Sequence, residues 1–292
     1  MTSRRGMALL IVVALLGVLA MAAGMTALAT RVSAASAFAS LERVELRTAI
    51  ETAVARTAVK LADEEARWIA DGRLYETEAG DVRLRIRAVA EPARFDLNSG
   101  NVETLAALLE ALNVPPLAAR RIAGAVSDWR DGDDVSGDNG AEAAAYRAAN
   151  RPSPGNRPFI AVEEFRQVLG VDAAIYAAAE PYLTLHGTEA VAGRYAPPRL
   201  IRAAGLPAGD ARRILAARSN NSDLPETTDS AQFDPAQPSA YAIFVEAEAG
   251  SGARLSREII ISLPGSEGLY DTLSRHSHVF GYADFLEPEP EP

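Results

Sequence analysis

The chain has 292 residues, nearly half of them hydrophobic and about a quarter charged, which is the balance of a globular protein. It contains no cysteine, and that excludes disulfides, thiolate metal sites and cysteine nucleophiles. Its net charge of −10 has the wrong sign for a surface that must neutralise nucleic-acid phosphates. A divalent cation or a basic protein surface would suit that charge.

Met1–Gly6 is a short basic leader with Arg4 and Arg5, and the next 24 residues, Met7–Thr30, carry no charge. As a helix that run covers roughly 36 Å, enough to cross a bilayer core of about 30 Å. A cleavable secretory signal, cut near the small residues Ala35 and Ala37, is one reading, although its apolar stretch is usually shorter. A twin-arginine signal at Ser3-Arg4-Arg5 is another. A retained single membrane span fits the length best. The two arginines then place the N-terminus in the cytoplasm and the body in the periplasm, at a bacterial inner membrane.

The pattern continues past the span. No proline precedes Pro92, and no glycine lies between Thr30 and Asp71. Leu46, Ile50, Val54, Leu61 and Trp68 recur at spacings of four and seven, one apolar stripe on a helix. Gly72 supplies a stop. The spacing predicts one helix over residues 7–71, apolar in its first half (7–30) and amphipathic in its second.

A basic leader ending in Gly6, an apolar segment from Met7 and an amphipathic extension resemble the N-terminus of type IV pilin-like proteins. The resemblance implies that a prepilin peptidase cuts between Gly6 and Met7 and methylates the new N-terminus. Most of that family carry Glu at the fifth mature position. Here that position is Ile11, the pattern of the K-type minor pseudopilins of type II secretion.

Beyond Gly72 the period changes to two. Val82, Leu84, Ile86 and Ala88 alternate with Arg83, Arg85 and Arg87, a half-buried antiparallel strand. Leu74–Thr77 pairs with it across Glu78-Ala79-Gly80. Tyr241–Ala249 and Arg254–Leu263 form a second hairpin around Gly250-Ser251-Gly252. The sheet is therefore expected over residues 72–93 and 240–265, and a large helical domain over 94–219 is inserted between its strands. Residues 220–239 read as a mobile connection and 266–292, with their Glu-Pro repeat, as a C-terminal tail. The fold class is α+β: a long N-terminal helix on an antiparallel sheet, with an inserted α-domain.

The inserted block holds three helix–turn–helix units, turning at Leu112-Asn113-Val114-Pro115, Leu169-Gly170-Val171 and Gly205-Leu206-Pro207. They are similar to helix-hairpin-helix modules, whose turn amides can bind phosphate, so a membrane-anchored DNA-binding pseudopilin is an alternative. The acidic chain favours plain helix packing and disfavours nucleic acid. Phe95-Asp96-Leu97-Asn98, Asp128-Trp129-Arg130-Asp131, Asn139–Tyr146, Pro158–Glu164 and Pro181-Tyr182-Leu183-Thr184 follow in an order similar to the α-domain of the K-type family, general secretion pathway protein K.

The densest charge lies within Asp128–Glu142, where Asp128, Asp131, Asp133, Asp134, Asp138 and Glu142 face one base, Arg130. Carboxylates this crowded repel one another unless a cation compensates, and hard oxygen ligands suit Ca²⁺. Asp131, Asp133 and Glu142 hold positions one, three and twelve of an EF-hand loop, but Val135 and Ser136 break that motif. The candidates are a Ca²⁺ loop of another geometry and a solvated acidic loop with helix-capping Asp. The K-type resemblance also implies calcium here.

Catalysis finds little footing: there is no Gly-x-Ser-x-Gly elbow and no phosphate loop, and the three histidines sit apart from the acidic loop. A metal-dependent periplasmic hydrolase using that loop is the enzyme alternative. The K-type resemblance implies a non-enzymatic subunit that caps the secretion pseudopilus, packed helix to helix against the I- and J-type minor pseudopilins.

Overall fold

The computed structural model describes residues 3–63, 68–193, 195–219, 238–265 and 268–277; the side chains of 3–12, 27–29, 32 and 218–219 are outside that description. The first element is a single helix, α1 (Ser3–Ala62), of 60 residues. At about 1.5 Å per residue it is roughly 90 Å long. Among the described residues no helix is long and apolar enough to cross a membrane. The expected span 7–30 falls partly on side chains outside the description.

The second half of α1 packs on the sheet. Leu46, Ile50 and Val54, predicted as one stripe, are buried together with Ala49, Ala53, Thr57 and Ala58. The alanines let the helix lie close to the sheet. The predicted helix end at residue 71 is corrected to Ala62. Trp68 belongs to the reversal that follows: its N–H donates to the Lys60 carbonyl at 3.0 Å, and its ring stacks on Tyr75 at 3.8 Å. The ammonium of Lys60 lies over the same ring. An aromatic that looks like the next rung of the stripe instead fastens the turn to the first strand.

That strand, β1 (Asp71–Ala79), pairs antiparallel with β2 (Val82–Ala90) across a turn where Gly80 takes φ +61. The chain then leaves the sheet and returns as β5 (Ala240–Glu248), β6 (Arg254–Ser262) and β7 (Asp271–Ser277). The order is β1-β2-β5-β6-β7, all antiparallel. Val82, Leu84 and Ile86 join Ile243, Val245, Ile259 and Ile261 under α1. On the other face of the strands, Arg85 meets Glu246 at 3.1 Å and Arg254 meets Glu248 at 3.1 Å.

The four expected strands are present, and the fifth, β7, corrects the expectation that everything after residue 265 is tail. β7 is an edge strand with mostly exposed side chains, so it lacks the apolar alternation that betrays a strand. The expected connection lies, apart from residues 238–239, outside the described residues, as does the Glu-Pro repeat.

Between β2 and β5 runs the inserted domain: β3 (Phe95–Asp96), α2 (Val102–Ala111), α3 (Pro116–Arg130), α4 (Ala143–Ala148), α5 (Ala173–Ala179), β4 (Leu183–Thr184), α6 (Pro198–Ala203) and α7 (Ala208–Ser219). α2 packs on both α3 and α6. The three turns anticipated from sequence each carry one left-handed residue, at Asn113, Gly170 and Gly205.

Candidate metal centre

The motifs that are scattered in the inserted domain's sequence converge in space. β3 pairs in parallel with β4, so Phe95 meets Leu183 and Asp96 meets Thr184. Asp96 Oδ1 accepts from the amides of Asn98 and Ser99, and its Oδ2 accepts from the Gly187 amide at 2.8 Å. Asn98 clasps Phe159: its Nδ2 donates to the Phe159 carbonyl, and its Oδ1 accepts from the Phe159 amide at 2.7 Å. Trp129 stacks on Phe159 at 5.5 Å, and Tyr146 is fully buried with its hydroxyl accepting from the Leu169 amide. Arg130, the one base in the acidic loop, donates to the Leu97 and Gly100 carbonyls. It ties the end of α3 to the start of the domain.

The acidic loop hangs from this frame. Asp131, Asp133 and Glu142 each offer a carboxylate oxygen within 4.8 Å of the others. Asp131 Oδ1 and both oxygens of Glu142 are shielded from solvent and have no hydrogen-bond partner. Burying a carboxylate without a partner is costly, so these atoms are suited to a cation. Burial pushes both carboxyl groups above their usual values, and the neighbouring negative charges push the same way: Asp133 and Asp128 for Asp131, Asp128 and Asp131 for Glu142. The oxygen-only donor set, in a loop of glycines, fits a hard divalent ion.

The other candidates divide. Asp128 is buried, and its carboxylate accepts from the Gly137 amide at 3.2 Å; it fastens the loop to α3 and stands outside the three-carboxylate group. Asp134 Oδ1 accepts from Asn156 Nδ2, which also donates to the Asp133 carbonyl. Asp138 is exposed and outside the group. Gly6 and Met7 lie in α1, their side chains outside the description.

Sequence reasoning missed a second buried polar cluster. Glu91 is wholly buried, accepts from the Thr184 hydroxyl and lies 3.5 Å from Arg94, which lies equally close to Glu258 of β6. Burial raises the Glu91 carboxyl above its usual value although Arg94 pulls it down. These groups join the inserted domain to the sheet. A charged pair directly after a strand was the only available signal, and nothing in sequence names its partner 93 residues on.

The comparisons follow this geometry. The family model described as type II secretion system protein K matches residues 83–188, which contain β2, the converging motifs and the acidic loop. Over residues 83–188 the chain is similar to protein K of the type II secretion system. Protein K of Klebsiella pneumoniae is 34% identical over 133 residues, covering 40% of this chain and 39% of that relative. Protein K of Dickeya chrysanthemi is 40% identical over 76 residues, covering 26% of this chain and 21% of its own. The chain thus spans about two fifths of the length of the first of these relatives. Among solved structures, the GspK-GspI-GspJ complex from the enterotoxigenic Escherichia coli type 2 secretion system aligns with TM-score 0.54 at 19% identity. The match covers 80% of this chain and 94% of the matched chain, so the shared fold extends beyond residues 83–188.

The loop geometry makes one demand of glycine. A Cβ at Gly140 would stand 2.0 Å from Asp128 Oδ2 and 2.6 Å from its Cγ. Gly140→Ala should displace the buried Asp128 carboxylate and lower stability by roughly 1–3 kcal/mol, the usual range for overpacking. Gly132→Ala, with open space around its Cβ, should cost far less. Urea titrations of the two variants check the contrast.

Proposed function

We propose that this protein is a K-type minor pseudopilin that caps the tip of a type II secretion pseudopilus. Its role is structural, not enzymatic, in export across the outer membrane. The observation that carries the reading is the protein K match in a domain inserted between strands of a sheet backed by one long helix. Its partners are then the I- and J-type minor pseudopilins, a complex like the one named for the E. coli relative. They would meet the exposed apolar residues of α1 that precede its contact with the sheet, where Phe38, Leu41 and Val44 are 72%, 66% and 59% exposed.

In this reading the first half of α1 is a single membrane anchor and the body is periplasmic. The absence of Glu at position 11 follows from position in the assembly: a tip subunit has no preceding amine to pair with. A lone carboxylate there would cost about 2.5–3.5 kcal/mol at mid-membrane. The acidic loop is the place for Ca²⁺. Asp131, Asp133 and Glu142 would hold the ion, and it would supply a partner for Asp131 Oδ1 and both oxygens of Glu142.

Two outcomes test the proposal. Mass spectrometry of the membrane-extracted protein should find methylated Met7 as the N-terminus. An intact Met1, or a cut near Ala35 or Ala37, contradicts the pilin-like anchor. Thermal melts should show higher stability in Ca²⁺ than in chelator, by about 2.7 kcal/mol at a hundred times the dissociation constant. Asp131→Ala combined with Asp133→Ala should remove the difference, and Mg²⁺ should substitute poorly because it demands tighter octahedral geometry. Coincident melts in Ca²⁺ and chelator would mean that the loop is a solvated acidic turn.

A further inference from the structure

A cleft of about 450 Å³ opens between the sheet and the inserted domain. Its apolar walls are Val162 and Leu185 from the inserted domain and Ile260 from β6. Two further apolar side chains stand towards solvent at this cleft, one from each wall: Ile160 is 73% exposed and Leu273 is 43% exposed. Leu273 is there by construction. The register of β7 against β6 passes from Ser274 opposite Ile260 to Thr272 opposite Ile261, so Leu273 is an extra residue in a bulge. A bulge re-aims the side chain it carries and blunts the sheet edge against simple strand addition.

The charge of the cleft is lopsided. Glu163, Glu180 and Glu258 line it, and among the described residues Arg94 is the one lysine or arginine that does. Arg94 is already held between Glu91 and Glu258, at 3.5 Å from each. Glu163 and Glu180 are exposed. The volume is that of a site for one or two side chains, and apolar walls with a few placed charges are the composition of such sites.

We propose that this cleft docks a protein segment that inserts one apolar side chain between Ile160 and Leu273 and sets flanking lysine or arginine residues against Glu163 and Glu180. The apolar anchor is the source of affinity, and the acidic rim selects the partner by charge. The site goes beyond the helix-to-helix contacts of α1 and stands whether or not the chain caps a pseudopilus.

The test uses the full chain in detergent and a pentapeptide, lysine-threonine-X-threonine-lysine, with a photo-reactive leucine at X. Irradiation followed by peptide mapping should place adducts on residues 160–163 and 273–277. Replacing both lysines of the peptide by glutamate should reduce labelling at least tenfold, as should Leu273→Asp or Glu163→Lys. Both positions are exposed, so neither substitution opens the core. Adducts elsewhere, equal labelling by the glutamate peptide, or labelling that survives both substitutions would overturn the proposal.

Discussion

The architecture depends on one packing contact, the stripe of α1 from Leu46 to Ala58 against the inner face of the sheet. A helix roughly 90 Å long has no fold of its own to hold it in place, and isolated helices draw most of their stability from packing. Here Ala49, Ala53 and Ala58 bring the helix close, while Leu46, Ile50 and Val54 fill the space above β2, β5 and β6. Because β2 and β5 are neighbours in the sheet, the chain can leave after Ala90 and return at Ala240 without disturbing this contact. The inserted domain is in effect a very long loop between paired strands.

What holds that insertion in place is polar. Asp96, Asn98, Arg130 and Asp128 spend their charges and amides on backbone groups of distant segments, at Gly187, Phe159, Leu97 and Gly137. Buried polar groups that are fully partnered specify one arrangement, and these four explain why short motifs far apart in sequence meet. The acidic loop is the exception. Asp131 and Glu142 keep three carboxylate oxygens with no hydrogen-bond partner, on the two sides of a place that a cation would fill; Trp129 Nε1 and Asn156 Oδ1 are unpartnered beside them.

Much of this was legible from the residues. Period-four spacing marked Leu46, Ile50 and Val54, and period-two alternation marked β2, because those patterns record which face is buried. The hairpin turn at Gly80 and the left-handed turns at Asn113, Gly170 and Gly205 were visible as turn chemistry. Trp68 misled because an aromatic in register with a stripe is indistinguishable from a core residue until its stacking partner, Tyr75, is placed. β7 was hidden because an exposed edge strand has no buried face to record. In the acidic loop the crowding was plain, but the sorting was not. Asp128 differs from Asp131 only through its place on α3 beside Gly137 and Gly140, a matter of tertiary approach.

In the proposed reading, the buried stripe of α1 serves the chain's own sheet and its exposed apolar residues serve neighbouring subunits at a filament tip. The chain has no cysteine and few aromatics, so a single photo-reactive phenylalanine analogue in place of Phe38 is a clean reporter in cells that run secretion. Phe38 is 72% exposed, whereas Ala53, at 1%, faces the sheet and supplies the control position. The account predicts one discrete adduct from position 38, to a different pseudopilin subunit, and none from position 53. A ladder of adducts between copies of this same chain would place it in the shaft and contradict the account.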